Sequence, residues 1–178
     1  MVGIPGETKL GNTRLVEYGI RQEKSDIRVH VSIATKRLYI FRTSEAVRLI
    51  DTGNYKIREA RQGPIVTAKG YLIPPDDIRG CAVREIPKDL LADNVFLPDD
   101  DEGERGKKAE GLVFDWLMLL GHEVDVETDI DKQRDGIDLW CNGEAIQVKC
   151  DWRAGSRERG GTGNLFIQVA ECNPSGVK

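Results

Sequence analysis

Asp138, Gln147 and Lys149 have the residue types and the spacing of a small site for a hard cation. They flank Asn142-Gly143, the strongest short-range signal for a two-residue β-hairpin, because both positions tolerate positive φ. A turn of that length fixes the register, with Cys141 opposite Glu144, Trp140 opposite Ala145, Leu139 opposite Ile146 and Asp138 opposite Gln147. Side chains alternate along a strand, so Gln147 and Lys149 leave one face, which Asp138 shares. The opposite face collects Ile137, Leu139, Ile146, Val148 and Cys150, an apolar layer suited to a helix. Opposed Cβ atoms lie about 4.5–5.5 Å apart and diagonal ones about 7–8 Å, so a carboxylate, an amide and an ammonium come within reach of one ion. Mg²⁺ takes oxygen ligands of this kind, completed by a backbone carbonyl and water. A polar face is also what any antiparallel hairpin turns to solvent. On spacing alone, both readings stand.

The elements around the hairpin must position these groups. From Lys107 to Leu120, apolar residues at Leu112, Val113, Trp116, Leu117 and Leu120 predict a helix, which Gly121 ends. His122 to Glu127 alternates as a strand, followed by strands over Gly136 to Cys141 and Glu144 to Asp151, and a last one from Leu165 to Cys172. Upstream, Arg28 to Ile33 and Lys36 to Phe41 alternate as strands, and Ser44 to Ile50 could form a short helical turn. The segment 98–106, rich in Asp and Glu, reads as an exposed linker. The chain therefore divides into a β-rich region 1–97 that would bind substrate or a partner, the linker, and a C-terminal domain 107–178. The fold class is α/β (α+β), with one helix on a mixed four-stranded sheet at its centre.

Composition narrows the classes. Hydrophobic residues make up 39% and charged residues 31%, a globular rather than disordered balance. No apolar run is long enough for a membrane span, and no secretory signal is visible, so a cytoplasmic location is expected. The four cysteines form no CxxC pair and the two histidines lie far apart, which excludes zinc-finger spacing and points to reduced thiols. A net charge of −4 argues against a protein that coats nucleic acid indiscriminately.

The order helix, strand, Asp-bearing strand and then Gln147-Val-Lys149 resembles the PD-(D/E)XK nuclease superfamily, whose core motif is an aspartate, a short gap and acid-x-Lys. Arg134-Asp-Gly-Ile-Asp-Leu139 looks like the first motif and Ala145-Ile-Gln-Val-Lys149 like the second. Glu110 matches the helical glutamate of the Holliday-junction-resolvase-like members. Thr162-Gly-Asn-Leu-Phe-Ile-Gln168, followed by Pro174-Ser-Gly176, is similar to a phage and bacterial branch, whose chains continue further. A truncated chain, or elements supplied by another chain, is expected on that basis. The likeness covers about residues 106–177.

That resemblance implies a Mg²⁺-dependent DNA endonuclease or structure-specific nuclease, with Mn²⁺ able to substitute. Asp138 and Gln147 would hold the ion with the Val148 carbonyl, Glu110 would bind it directly or through water, and Lys149 would orient the attacking water. Glu110 has a second reading as a first-turn carboxylate favoured by the helix dipole. Arg153, Arg157 and Arg159, in a glycine-rich loop, would clamp phosphate or else form a plain surface loop. Many relatives act as pairs, so a homodimer is possible on the likeness. Gln147 and Gln168 depart from the family pattern, since both stand where an acid is usual. The departure at 147 removes a charge from the site and opens an alternative: a catalytically inactive nuclease fold serving as a nucleic-acid-binding or assembly module. A third reading is a purely structural protein with a solvated hairpin face.

Overall fold

A computed structural model describes residues 14–17, 20–62, 65–151 and 163–173. The chain is an α+β protein. Its elements are β1 (Arg14–Glu17), β2 (Ile27–Ser32), β3 (Arg37–Arg42), α1 (Thr43–Thr52), β4 (Ile57–Gln62) and β5 (Ile65–Ile73). A 3₁₀ turn (Pro75–Asp77), β6 (Ala82–Glu85), α2 (Lys88–Asp93), α3 (Glu102–Leu119) and β7 (Val124–Val126) follow. Last come α4 (Ile130–Arg134), β8 (Leu139–Cys141), β9 (Glu144–Asp151) and β10 (Leu165–Asn173).

Two sheets form. A six-stranded sheet has the order β6-β3-β2-β9-β8-β7, and a four-stranded sheet the order β1-β10-β5-β4. All pairs are antiparallel except β2 and β9, which run parallel with Arg28 beside Gln147 and His30 beside Lys149.

This topology corrects the expectation of a self-contained four-stranded core. The hairpin β8–β9 leaves the far edge of β9 open, and β2 from the first half of the chain fills it. The sheet thus crosses the proposed boundary, and residues 107–178 do not stand apart from residues 1–97. The strand expected to complete the core, β10, joins β5 in the other sheet instead, with Phe166 opposite Leu72.

The acidic segment is only partly a linker. Asp101 accepts the Glu104 amide at 2.8 Å while Glu104 reaches back to the Asp101 amide, a capping box that starts α3 earlier than its apolar spacing indicates. Asp100, expected to be exposed, is 7% exposed and holds Lys108 through both carboxylate oxygens at 2.7 Å. That ion pair and the Leu97 amide keep the Asp100 carboxyl below the usual range. Local polarity predicts exposure only when no partner folds back, and here the helix itself supplies one.

One apolar core lies between the six-stranded sheet and α2 and α3, built from Val29, Val31, Leu38, Leu112, Val113, Leu139, Ile146 and Val148 among others. The apolar hairpin face therefore meets a helix, as its alternation predicts. A second core joins Tyr39 and Phe41 of β3 to α1 and to Ile73, Leu165 and Ile167 of the other sheet. Both faces of β2 are consequently covered. Arg28, His30 and Ser32, which alternation would place in water, are all buried.

No helix among the described residues is long and apolar enough to cross a membrane.

Candidate metal and phosphate site

The site begins at the hairpin turn. Asn142 and Gly143 adopt φ values of 49° and 84°, the left-handed pair that a tight hairpin demands. The resulting register joins Cys141 to Glu144, Trp140 to Ala145 and Leu139 to Ile146, as the turn length dictates. Asp138 lies just before β8. Its amide donates to Ile146 at 2.9 Å and its carbonyl accepts from Glu127 at 2.9 Å. Its carboxylate accepts the Val148 amide at 2.7 Å, so a side chain extends the ladder past the end of β8.

The approach to Asp138 is shaped by the end of α4. The Gly136 amide donates to Gln133 and the Ile137 amide to Lys132, the paired bonds of a Schellman ending, with Gly136 at φ 79°. A Cβ at Gly136 would lie 2.7 Å from Glu23 Cγ and 3.1 Å from Gln147 Nε2, so a side chain there has no room. Asp135, the residue before Gly136, pairs with Lys24 at 2.7 Å.

Asp138 and Glu110 are both half-buried, and each lies within electrostatic range of Lys149. Burial raises the Asp138 carboxyl above its usual value, against the opposing pull of the Val148 amide, Lys149 and Arg28. Burial also raises Glu110, and the nearby Asp138 charge adds to it, while Lys149 and Lys107 oppose. Each carboxylate thus feels the same ammonium, and Glu110 feels the charge of Asp138. Because α3 starts at Glu102, Glu110 is more than two turns into the helix. The helix-dipole reading of Glu110 as a first-turn acid is therefore lost.

Gln147 is the member placed differently. It shares the sheet face of Lys149 but is 4% exposed, and its amide oxygen accepts from Arg28 Nη2 at 3.1 Å. Arg28 in turn pairs with Glu23. The oxygen assigned to a metal on sequence is engaged by a guanidinium. Val148 contributes backbone: its amide points to Asp138, and in an extended residue the carbonyl lies along the same edge.

Two carboxylates and one carbonyl edge remain as hard oxygen donors, a set chemically suited to Mg²⁺. Among the described residues, no group of three or more His, Cys, Asp or Glu side chains converges as a metal site. Any such ion would depend on backbone and water for its remaining ligands.

Other expected residues fall elsewhere. Gln168 lies on β10 in the four-stranded sheet. Trp140 donates its indole N–H to Glu127 at 2.7 Å and lies under Lys132. Arg153, Arg157 and Arg159 lie outside the described residues. Arg28 and His30 are additions that sequence reasoning missed, because polar positions alternating along a strand read as a wet face, and Glu23, which precedes β2, is a third. Burial lowers the His30 imidazole well below its usual value, with Arg28 and Lys149 adding to the effect, and its ring lies 5.4 Å from Phe41.

No family model matches the chain, and no curated protein or solved structure is significantly similar to it.

Proposed function

We propose that the chain is a Mg²⁺-dependent nuclease that hydrolyses phosphodiester bonds of DNA, with its site at Asp138, Glu110, the Val148 carbonyl and Lys149. One observation carries the reading: a half-buried Asp138, fixed by the Val148 amide at 2.7 Å, and a half-buried Glu110 on α3 lie within electrostatic range of each other and of Lys149. Such a pair is unfavourable by itself, because desolvation and like charge both oppose ionisation. A divalent cation would relieve both terms. When bound, it would polarise the scissile phosphate and lower the pKa of a coordinated water.

The chain's own groups then have distinct tasks. Asp138, anchored by the Val148 amide, presents its remaining carboxylate oxygen from a fixed backbone position. Glu110 approaches from α3 and adds the second anionic oxygen. Lys149 would donate to the attacking water or to the phosphate oxygen that gains charge. Relative to the sequence-based ligand set, Gln147 leaves the inner ligands and supports β9 from behind.

The test is cleavage of supercoiled plasmid with Mg²⁺ or Mn²⁺ by the wild type, Lys149→Ala and Glu110→Gln. Cleavage that needs the cation and is abolished in Lys149→Ala upholds the reading. Equal cleavage by the wild type and Lys149→Ala, or cleavage by none of the three, removes it.

The engagement of Gln147 by Arg28 favours a second reading, a nuclease-like fold that binds nucleic acid without cutting. That reading expects DNA mobility shifts that weaken steeply with salt and do not need Mg²⁺.

A further inference from the structure

A buried ion pair from the first half of the chain reaches across the parallel strand pair into the hairpin. The side chains of Arg28 and Glu23 are 1% and 5% exposed. Arg28 donates through Nη2 to Glu23 Oε1 and, at 3.1 Å, to Gln147 Oε1. The amide nitrogen of Gln147 and the Cγ of Glu23 both abut Gly136, where a Cβ would come within 3.1 and 2.7 Å of them. One cation, one anion and one neutral amide fill this slot, and their formal charges cancel.

We propose that Gln147 is the neutral third member of a Glu23–Arg28–Gln147 network, and that Arg28 is a positioning residue holding β9 against Asp138. The register supports it directly. Arg28 and Gln147 are partners in the parallel pair, and the next residue on β9, Val148, is the one whose amide meets Asp138. The inference rests on the metal-site reading and goes beyond it by assigning a cause to the amide at 147. An acid there would compete with Glu23 for one guanidinium and leave the slot with an excess negative charge. Buried charges are tolerated when paired and are strongly destabilising when not. The amide thus accepts the Arg28 N–H without adding a second buried anion beside Glu23.

The experiment is a charge-exchange cycle of the full chain: wild type, Glu23→Gln, Gln147→Glu, and the two together. Melting temperature and Mn²⁺ affinity are measured on each, the latter well below the lowest melting point. Each single change should lower Tm by on the order of 10 °C, since it leaves one buried charge unmatched. The double exchange moves the anion to the other side of Arg28, restores neutrality and should recover most of the loss. Should a single variant fail to fold, folding of the double exchange is itself the recovery. Mn²⁺ affinity should weaken in Glu23→Gln, return in the double exchange, and gain nothing in Gln147→Glu. Additive Tm losses overturn the network. A gain in Mn²⁺ affinity of about tenfold or more in Gln147→Glu, with Tm unchanged, also overturns it, because position 147 would then be a ligand. If the wild type binds no Mn²⁺, the metal reading falls, while recovery of Tm in the double exchange still sustains the Arg28 network.

Discussion

The carboxylate of Asp138 accepts the backbone N–H of Val148 at 2.7 Å, joining the residue before β8 to the middle of β9. Asp138 therefore has a structural task beside any chemical one, and substitutions can separate the two. Asn retains an acceptor oxygen for Val148 and removes a charge that burial disfavours. Asp138→Asn should melt at or above the wild type at pH 8 and abolish the proposed cleavage. Asp138→Ala leaves the amide without its acceptor and should cost roughly 1–3 kcal/mol. Thermal melts of the two variants, beside plasmid cleavage, check both statements. A less stable Asn variant would mean that the charge itself stabilises the fold.

The shared environment of Glu110 and Asp138 makes stability depend on pH in a defined direction. Both carboxyls are raised above their ordinary values, chiefly by burial. The folded state therefore holds these protons more tightly than the unfolded chain. The stability this contributes is complete below the ordinary carboxyl range, near about 4, and is lost as pH rises through the raised values. In EDTA, the Tm advantage of Glu110→Gln over the wild type should grow across that window and then level off. Mg²⁺ should raise the wild-type Tm at neutral pH and leave Asp138→Asn unmoved. A wild type indifferent to Mg²⁺ would contradict the ligand assignment.

His30 works in the opposite sense. Its imidazole is held well below the usual value, so the folded chain keeps it neutral where the unfolded chain would protonate it. The corresponding stability is present above about pH 6.5 and is lost as pH falls toward the depressed value. Neither ring nitrogen has a hydrogen-bond partner among the described residues, and the ring lies against Phe41. His30→Phe should keep the stacking and flatten the decline of Tm between about pH 6.5 and 5. An unchanged acid slope would assign that decline to other groups.

Gly136 offers a test of the packing around the ion pair. At φ 79° any side chain is strained, by about 1–2 kcal/mol, before the contact with Glu23 is counted. Gly136→Ala should lower Tm by at least roughly 2–8 °C. It should also weaken Mn²⁺ binding, because the added methyl presses on Glu23 and Gln147 together. A fully stable alanine variant would show that the slot yields.

Turn chemistry and local periodicity made much of the hairpin legible. Asn142-Gly143 dictated the pairing of Leu139 with Ile146 and of Cys141 with Glu144, and Gly121 marked the end of α3. The alternation from Leu139 to Val148 correctly placed an apolar face toward a helix. The start of α3 was less visible, since its first turns carry no apolar residue and rest on the Asp101–Glu104 box and the Asp100–Lys108 pair.

What the residues determined by themselves are the features set by near neighbours: the hairpin, its register and its two faces. Tertiary structure decided which strand covers the far edge of β9, and so put Arg28 rather than a solvent layer beside Gln147. The physical reason is one of range. A turn is dictated by the φ and ψ its own residues allow, whereas strand partners are chosen by burial summed over segments far apart in the chain. An alternating polar strand such as β2 looks the same whether its second face meets water or another sheet.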